Sequence, residues 1–486
     1  MRAGLLAALA AASAAAALAL PGVAGAGPRL VVGAVEDGVL ASSLVEAEAR
    51  MQLFRLAGFR AVRVTSYWQP GRSRPEEGEL EALRRTAEAG ARNGVRVLVT
   101  VMSPGSRTTP LTDEARGEFA AYASAIVREI PAIRDVIVGN EPNLNRFWLP
   151  QFAPDGSSAA PAAYLSLLAR TYDALKAASP EVRVYGGAVS PRGTDRPDGV
   201  RPTHSPTTFI RALGAAYRAS GRTLPVMDAF SIHVYSDNSS VPPTVAHPRT
   251  TTIGVADYDK LVALLAEAFD GTAQPGSTLP ILYGEFGVET QIPADKAALY
   301  AGREPETTRP VPEETQAEYY RQALALSLCQ PNVMGVLLLH ERDERDLDRW
   351  QSGIRYVDGT PKRSFAPVRA ALDRAAGGSV ARCPGLQLVV RTGLLRFGTG
   401  SAARRGVFRS TFSCDVDCAY LLRLENALTH ATKASLRGRA QVGEVVRATL
   451  TPPRLRPGAY RYTLRLVHPV NPGPPTIRRS RPFRLP

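Results

Sequence analysis

The sequence predicts an α/β fold, a (β/α)8 TIM barrel, followed by a small C-terminal antiparallel β-sandwich. Eight short apolar runs alternate with amphipathic stretches over roughly 350 residues, which is the element order of such a barrel. The runs are rich in Val, Ile and Leu without strict polar alternation, as expected of parallel strands buried on both faces. After Gly377 and Gly378 short segments of period two begin, which are typical of an antiparallel sandwich.

Each barrel element has its own signal in the sequence. The predicted strands are Leu30–Val35, Ala61–Ser66, Arg96–Met102, Asp135–Asn140, Arg183–Ala188, Asp228–Tyr235, Pro280–Phe286 and Met334–His340. Ser43 and Glu46 predict a capping box for the first helix, Thr112 predicts a later N-cap, and Gly58 and Gly94 end helices. Further helices are expected near 162–179, 207–220, 257–270, 314–330 and 365–376. An open doubly wound sheet is the alternative, but the first turn lacks its glycine-rich phosphate fingerprint.

The last hundred residues predict the sandwich. Its expected strands are Leu386–Val390, Val407–Phe412, Ala419–Glu425, Thr432–Arg437, Val445–Leu450 and Tyr460–Val467. The chain therefore divides into a signal peptide at 1–26, a barrel at 27–376, a linker at 377–385 and a sandwich at 386–486.

The N-terminus and the cysteines both predict export. Arg2, the apolar run Leu5–Leu20, the break at Pro21 and the small residues Ala24–Ala26 resemble a signal peptide, with a membrane anchor as the alternative. We expect a secreted protein that leaves the membrane after cleavage. The four Cys predict two disulfides, Cys329–Cys383 and Cys414–Cys418; zinc binding at the second pair lacks further ligands at suitable spacing.

The composition, 44% hydrophobic and 21% charged, indicates a globular protein and excludes global disorder. The net charge of +14 resides in the last hundred residues, where 17 Arg and one Lys face four acids. Arg423, Arg461 and Arg465 would give a strand face that attracts anionic polymers such as acidic wall polysaccharides. Coding bias is the alternative, since only five of the 59 basic residues are Lys. Neither a nucleic-acid partner nor a cofactor is predicted, and no phosphate-binding loop or Gly-x-Ser-x-Gly motif is present.

Two carboxylates follow or end predicted barrel strands, at the end of the barrel where active sites lie. Glu141 follows the fourth predicted strand and Glu285 ends the seventh, and the C-terminal ends of all barrel strands meet at one rim. Two facing carboxylates are the equipment for glycoside hydrolysis, in which one protonates the leaving oxygen and the other attacks or activates water. A surface salt bridge is the alternative for either residue taken alone.

The segment Gly139-Asn140-Glu141-Pro142 resembles the Asn-Glu-Pro motif of clan A glycoside hydrolases. The chain is most similar to family 5, the cellulase family, with family 39 close behind, over residues 29–375. The resemblance implies a retaining barrel enzyme in which Glu141 is the acid/base and Glu285 the nucleophile. It also implies that Asn140 binds the sugar 2-hydroxyl.

Further residues match the same pattern. Arg63 matches the strand-two Arg beside the nucleophile, although an ion pair elsewhere in the barrel is the alternative. His233 and Tyr235 match the strand-six His-x-Tyr, in which Tyr binds the nucleophile and His lines the sugar site; a core histidine is the alternative. Trp68 and Trp148 follow strands two and four and would stack on sugar rings, unless they pack the loops.

The chain also departs from the family pattern. Ile137 stands where family 5 often has a polar residue, strand three ends without His, and strand eight ends in His340 and Glu341 instead of Trp. These differences leave the sugar and the subfamily open. We predict a secreted retaining β-glycosidase without a metal; a transglycosylase with the same site and an inactive carbohydrate-binding protein on a hydrolase scaffold are the alternatives.

Overall fold

The computed structural model describes residues 30–378 continuously and, further along the chain, residues 392–399, 406–414, 418–441, 443–467, 469 and 475–485. The predicted signal peptide, most of the predicted linker, the predicted strand Leu386–Val390 and Cys383 lie outside these ranges. No helix within the described ranges is long and apolar enough to cross a membrane.

Residues 31–377 form the predicted barrel. Its strands are β1 Val31–Val35, β2 Ala61–Tyr67, β3 Arg96–Met102, β4 Asp135–Val138, β5 Arg183–Val189, β6 Ala229–His233, β7 Ile281–Phe286 and β8 Val333–Leu339. Its helices are α1 Leu44–Leu56, α2 Glu77–Asn93, α3 Asp113–Glu129, α4 Ala160–Ala178, α5 Pro206–Ala219, α6 Tyr258–Phe269, α7 Glu313–Leu328 and α8 Phe365–Gly377. Every neighbouring strand pair is parallel, and β1 closes the barrel by pairing with both β2 and β8.

Most of the local signals in the sequence act as expected. Ser43 accepts the Glu46 N–H at the start of α1, and Thr112 accepts the Ala115 N–H at the start of α3. The predicted capping box forms only in this half, because the Glu46 carboxylate accepts hydrogen bonds from Ser42 instead of from the Ser43 N–H. Gly94 ends α2 with φ +66°, a conformation that favours glycine. The predicted fold class and its eight strand–helix units are confirmed.

The strands are apolar on both faces because each face packs a separate layer. Leu98, Ile137, Leu282 and Leu337 fill the barrel interior. A larger layer packs between the strands and the surrounding helices. Arg96 pairs with Asp135 at the N-terminal ends of β3 and β4. This ion pair lies at the end of the barrel opposite the rim formed by the C-terminal ends of the strands.

The described residues after 391 form two antiparallel sheets. The strands are β9 Leu394–Thr399, β10 Phe408–Cys414, β11 Cys418–Asn426, β12 Thr432–Ala440, β13 Val446–Leu450, β14 Gly458–Val467, β15 Thr476–Arg479 and β16 Phe483–Leu485. One sheet has the order β13-β10-β9 and the other β12-β11-β14-β15, with β16 also on β14. The sequence did not predict β9, β15 or β16, since strands of three to six residues near Gly or Pro show too little alternation.

The structure supports the expected oxidation of the cysteines. Cys414 and Cys418 form the predicted disulfide between the end of β10 and the start of β11. Cys329 is also disulfide-bonded. Its predicted partner Cys383 lies outside the described residues, so this pairing stays a prediction.

Candidate active site

Glu141 stands on an unusual stretch of backbone directly after β4. Gly139 has φ +79° and Glu141 itself has φ +40°, a left-handed conformation that a non-glycine residue adopts at a cost of roughly 1–3 kcal/mol. The Glu141 N–H donates to the Ala188 carbonyl at 2.8 Å. The turn therefore directs the carboxylate at the rim, and the neighbouring strand holds it there.

Buried polar contacts join this turn to the end of β5. The Tyr164 hydroxyl donates to the Val138 carbonyl at 2.8 Å and accepts the Gly187 N–H at 2.9 Å. The side-chain amide of Asn143 bonds Ser190 through both its oxygen and its nitrogen. Asn143 was not predicted to have a role, although its position two residues after Glu141 was a signal that it supports this loop.

Glu285 lies near the end of β7 and accepts hydrogen bonds from surrounding side chains. Arg63 Nη2 donates to its Oε1 at 2.5 Å, and the Tyr235 hydroxyl donates to its Oε2 at 2.8 Å. The side chains of Arg63 and Glu285 are only 5% and 13% exposed, so little solvent screens this ion pair. Arg63 therefore lies where the family resemblance placed it, and the alternative of an ion pair elsewhere in the barrel is excluded.

His233 joins the two carboxylates. Its Nδ1 lies 2.9 Å from Oε1 of Glu141 and 3.4 Å from Oε2 of Glu285, so these two oxygens are at most 6.3 Å apart. Its Nε2 lies 3.5 Å from Arg63 Nη1. A guanidinium only donates hydrogen bonds, so the facing Nε2 accepts and Nδ1 carries the proton offered to the carboxylates.

The surroundings of Glu285 favour its ionised form. Burial alone would raise its pKa, but His233, the Arg63 guanidinium and the hydrogen bond from Tyr235 outweigh burial and hold the pKa at about 2. The pKa of Tyr235 lies well above its ordinary value, because the phenol is buried beside the Glu285 charge. Tyr235 therefore remains a hydrogen-bond donor, and Glu285 is a carboxylate at neutral pH.

The remaining predicted residues separate into two groups. Asn140 directly precedes Glu141 and is partly exposed at the rim. Trp68 and Trp148 are 0% and 4% exposed. Their rings pack edge-on against Phe119 and Tyr164. The expectation that these two tryptophans stack on sugars is wrong, because their ring faces lie in the core.

Trp350 is the tryptophan that reaches the site. Its ring stacks on Tyr235 with centroids 4.9 Å apart and planes inclined by 22°. Glu344 accepts the Trp350 N–H at 3.1 Å and so supports the loop that carries it. Strand β8 ends without the family's Trp, and this residue enters from eleven positions after Leu339. An aromatic residue in a loop after a barrel strand was the available signal.

A cleft of about 400 Å³ opens beside Tyr235 and Trp350. Arg192 and Glu289 also line it, together with hydroxyl and amide side chains of the loops after β6 and β7. Its lining is largely polar, which suits a ligand rich in hydroxyl groups. Within the described parts of the chain, no three His, Cys, Asp or Glu side chains form a group suited to a metal ion.

Comparisons with known proteins agree with this barrel. No protein-family model matches the sequence, and no curated protein matches it. A family 39 glycoside hydrolase from the gut symbiont Bacteroides cellulosilyticus WH2 matches in structure with a TM-score of 0.52 and 14% identity, over 88% of this chain and 82% of that chain. The fold is that of clan A glycoside hydrolases.

A second solved structure supports the same conclusion. A glycoside hydrolase of family 5, subfamily 18, from Streptomyces cattleya, solved in complex with GlcNAc, matches with a TM-score of 0.50 and 18% identity, over 74% of this chain and 82% of that chain. At these identities the likeness establishes the fold. Function depends on the side chains of the site, which differ among proteins that share a fold.

Proposed function

We propose that the chain is a retaining β-glycosidase that hydrolyses β-linked O-glycosides of an oligosaccharide or polysaccharide by double displacement. The observation that carries the proposal is the pair Glu141 and Glu285: Oε1 of Glu141 and Oε2 of Glu285 both lie near Nδ1 of His233 and are therefore at most 6.3 Å apart. Carboxyl groups in retaining enzymes are roughly 5–5.5 Å apart, and those in inverting enzymes roughly 6.5–9.5 Å. The bound falls below the inverting range.

The first step uses the two carboxyl groups in different roles. Glu285, held as a carboxylate by Arg63 and Tyr235, attacks the anomeric carbon and forms a glycosyl ester. Glu141 gives its proton to the departing glycosidic oxygen, and the bond between that oxygen and the anomeric carbon breaks. Glu285 loses its negative charge when the ester forms, and Glu141 becomes negatively charged when it gives up its proton. The site therefore keeps one carboxylate throughout.

The second step reverses the roles. Water enters on the side that the leaving group vacated, Glu141 takes a proton from it, and the hydroxyl oxygen attacks the anomeric carbon. The ester bond to Glu285 breaks, and both carboxyl groups return to their starting states. Two inversions at one carbon retain the configuration. A sugar hydroxyl in place of water would give transglycosylation by the same site.

The same contacts argue against an inactive binding protein. A scaffold that only binds sugar gains nothing from a buried carboxylate held ionised by Arg63, Tyr235 and His233, nor from the strained backbone at Glu141. A screen of p-nitrophenyl β-glycosides and soluble β-glucans, mannans and xylans tests the proposal. Proton NMR shows which anomer of the sugar product appears first. The β-anomer as the first product would support the proposal, whereas the α-anomer as the first product, or no turnover of any substrate, would contradict it.

We also propose that the protein is exported. The support is the charged start, apolar run and small-residue site of residues 1–26, together with the oxidised cysteines. N-terminal sequencing of protein recovered from the culture medium should begin near Gly27. Protein that keeps Met1 and stays with the cells would contradict export.

A second proposal concerns a basic surface of the sandwich, as a binding face for anionic polymers. Arg437 and Arg465 both pair with Leu421, so all three side chains lie on one side of the sheet. By the same register and the two-residue period, that side carries six arginines: Arg423, Arg437, Arg439, Arg461, Arg465 and Arg479. The acid on it is Glu425, which is buried and accepts a hydrogen bond from Thr463. We call this surface the arginine face.

Removing charge from the arginine face should weaken polymer binding. We expect the triple variant Arg437→Gln, Arg439→Gln, Arg465→Gln to bind polygalacturonate about tenfold more weakly at low salt, because each exposed charge adds to one continuous potential. The measurement is affinity electrophoresis in gels containing polygalacturonate or neutral dextran, repeated as ionic strength rises.

The matched control removes the same charge from the other sheet. Arg396, Arg409 and Arg447 are exposed residues of β9, β10 and β13, and their triple Gln variant should bind nearly as the wild type does. Equal losses in both variants would indicate a net-charge effect only. No retardation of the wild type by polygalacturonate, or equal retardation by dextran, would leave coding bias as the explanation for the arginines.

A further inference from the structure

The cleft beside the candidate active site contains an acid that the proposed mechanism does not use. Glu289 follows Glu285 by four residues in the loop after β7 and lines the cleft together with Tyr235 and Trp350. It is 7% exposed, and its Oε2 is buried without a hydrogen-bond partner among the residues that the structure describes. A buried, unsatisfied carboxyl group is costly, so its presence needs a reason.

The nearby cation does not neutralise Glu289. Lys362 Nζ donates to Thr290 Oγ1 at 2.7 Å, to Asp343 Oδ1 at 2.7 Å and to the Gln351 carbonyl at 3.0 Å. These three contacts use all three hydrogens of the ammonium group. The Lys362 charge is therefore committed to Asp343.

The other groups around Glu289 favour its protonated form. Burial is the largest influence and raises the pKa of Glu289, and the hydrogen bond from the Gln351 N–H is the next largest and lowers it. Repulsion from Glu304 and Asp343 raises this pKa further, and Lys362 lowers it the least. Together they raise the pKa of Glu289 to about 8. At neutral pH this side chain is a carboxylic acid, with one hydrogen to donate and one oxygen to accept.

We propose that Glu289, as a neutral carboxylic acid, binds a hydroxyl group of a sugar ring in this cleft, next to the ring that reacts at Glu285. Such an acid matches the paired donor and acceptor character of a hydroxyl group, and the hydrogen bond satisfies the oxygen that now lacks a partner. Trp350 offers the aromatic face on which that ring would pack. The inference rests on the proposed function, because it takes a β-linked oligosaccharide as the ligand.

Sugar binding is best measured where cleavage cannot follow. In the full chain carrying Glu285→Ala, quenching of tryptophan fluorescence by cellotriose, mannotriose or xylotriose reports on Trp350, because Trp68 and Trp148 are buried. We expect the Kd of the tightest trisaccharide to rise about tenfold between pH 7 and pH 9, as the acid ionises. Adding Glu289→Gln should keep the pH 7 value within about twofold and remove this rise, while Glu289→Ala should weaken binding about tenfold.

Glu304→Gln in the same background is the matched control. Glu304 also has a buried oxygen that lacks a hydrogen-bond partner in the described part of the chain, but it is not among the residues that line the cleft. Its variant should keep the pH 7 affinity and move the rise in Kd to lower pH, because it removes repulsion from Glu289. The proposal is overturned if Glu289→Ala binds like its parent, if the rise persists in Glu289→Gln, or if no trisaccharide binds. Sugar binding together with a wild type that hydrolyses nothing would instead contradict the proposed function.

Discussion

Replacing Glu285 with alanine is expected to lower hydrolysis of aryl β-glycosides by at least about a thousandfold, because the covalent step loses its nucleophile. Added azide should restore turnover, since the variant leaves a small opening beside Arg63 Nη2 and the Tyr235 hydroxyl, two donors that suit an anion. Azide then attacks from the face that Glu285 occupied, in a single displacement. The product should be the α-glycosyl azide from a β-glycoside, as identified by NMR.

The stability of this variant needs its own measurement. Alanine leaves the Arg63 charge buried without its partner, which costs about 3–5 kcal/mol when no anion replaces it. We therefore expect a lower Tm that rises again with azide. Glu304→Gln, which leaves the carboxylate pair intact and lies outside the residues that line the cleft, is the folded control and should keep most activity at pH 7. Wild-type rates in Glu285→Ala, or a β-glycosyl azide product, would show that Glu285 is not the nucleophile.

The sequence predicted which side chains meet at the rim because the signals were local. Glu141, Glu285, His233 and Tyr235 each lie at or just beyond the end of a strand, and the barrel topology brings such positions to one place. Arg63 could be assigned to the nucleophile only through the family resemblance, because a charged residue inside a strand has several possible partners. The contact with Glu285 shows which one it has.

The sequence was a poor guide to the loops. Trp68 follows β2 directly and Trp148 lies in the loop after β4, as a sugar platform would, but both side chains turn inward and both rings are buried. Trp350 comes from a long loop whose return to the barrel depends on contacts such as that of Glu344 with its backbone. The acidity of Glu289 depends likewise on Glu304, fifteen residues further along the same loop, and on Lys362 in the loop after β8. Side-chain partners across loops leave no period or motif that one sequence reveals.

Glu141→Ala is expected to affect substrates according to their leaving groups. Poor leaving groups such as phenol need a proton in the first step, so their hydrolysis should fall by about a hundred- to ten-thousandfold. The 2,4-dinitrophenyl β-glycoside needs little protonation and should still form the glycosyl ester at a rate near that of the wild type. Pre-steady-state release of dinitrophenol measures that step directly.

The fate of the ester separates the two carboxyl groups. Glu285 remains ionised in this variant, because its contacts with Arg63 and Tyr235 do not involve Glu141. It therefore still forms the glycosyl ester. The ester accumulates because water attacks it slowly without Glu141 as the base. Azide needs no base and should raise steady-state turnover, giving the β-glycosyl azide through two inversions, the opposite anomer to that from Glu285→Ala. An α-glycosyl azide, or equal losses for phenyl and dinitrophenyl glycosides, would contradict the acid/base role of Glu141. His233 bridges both carboxyl groups, so only this contrast in product and leaving group can tell their roles apart.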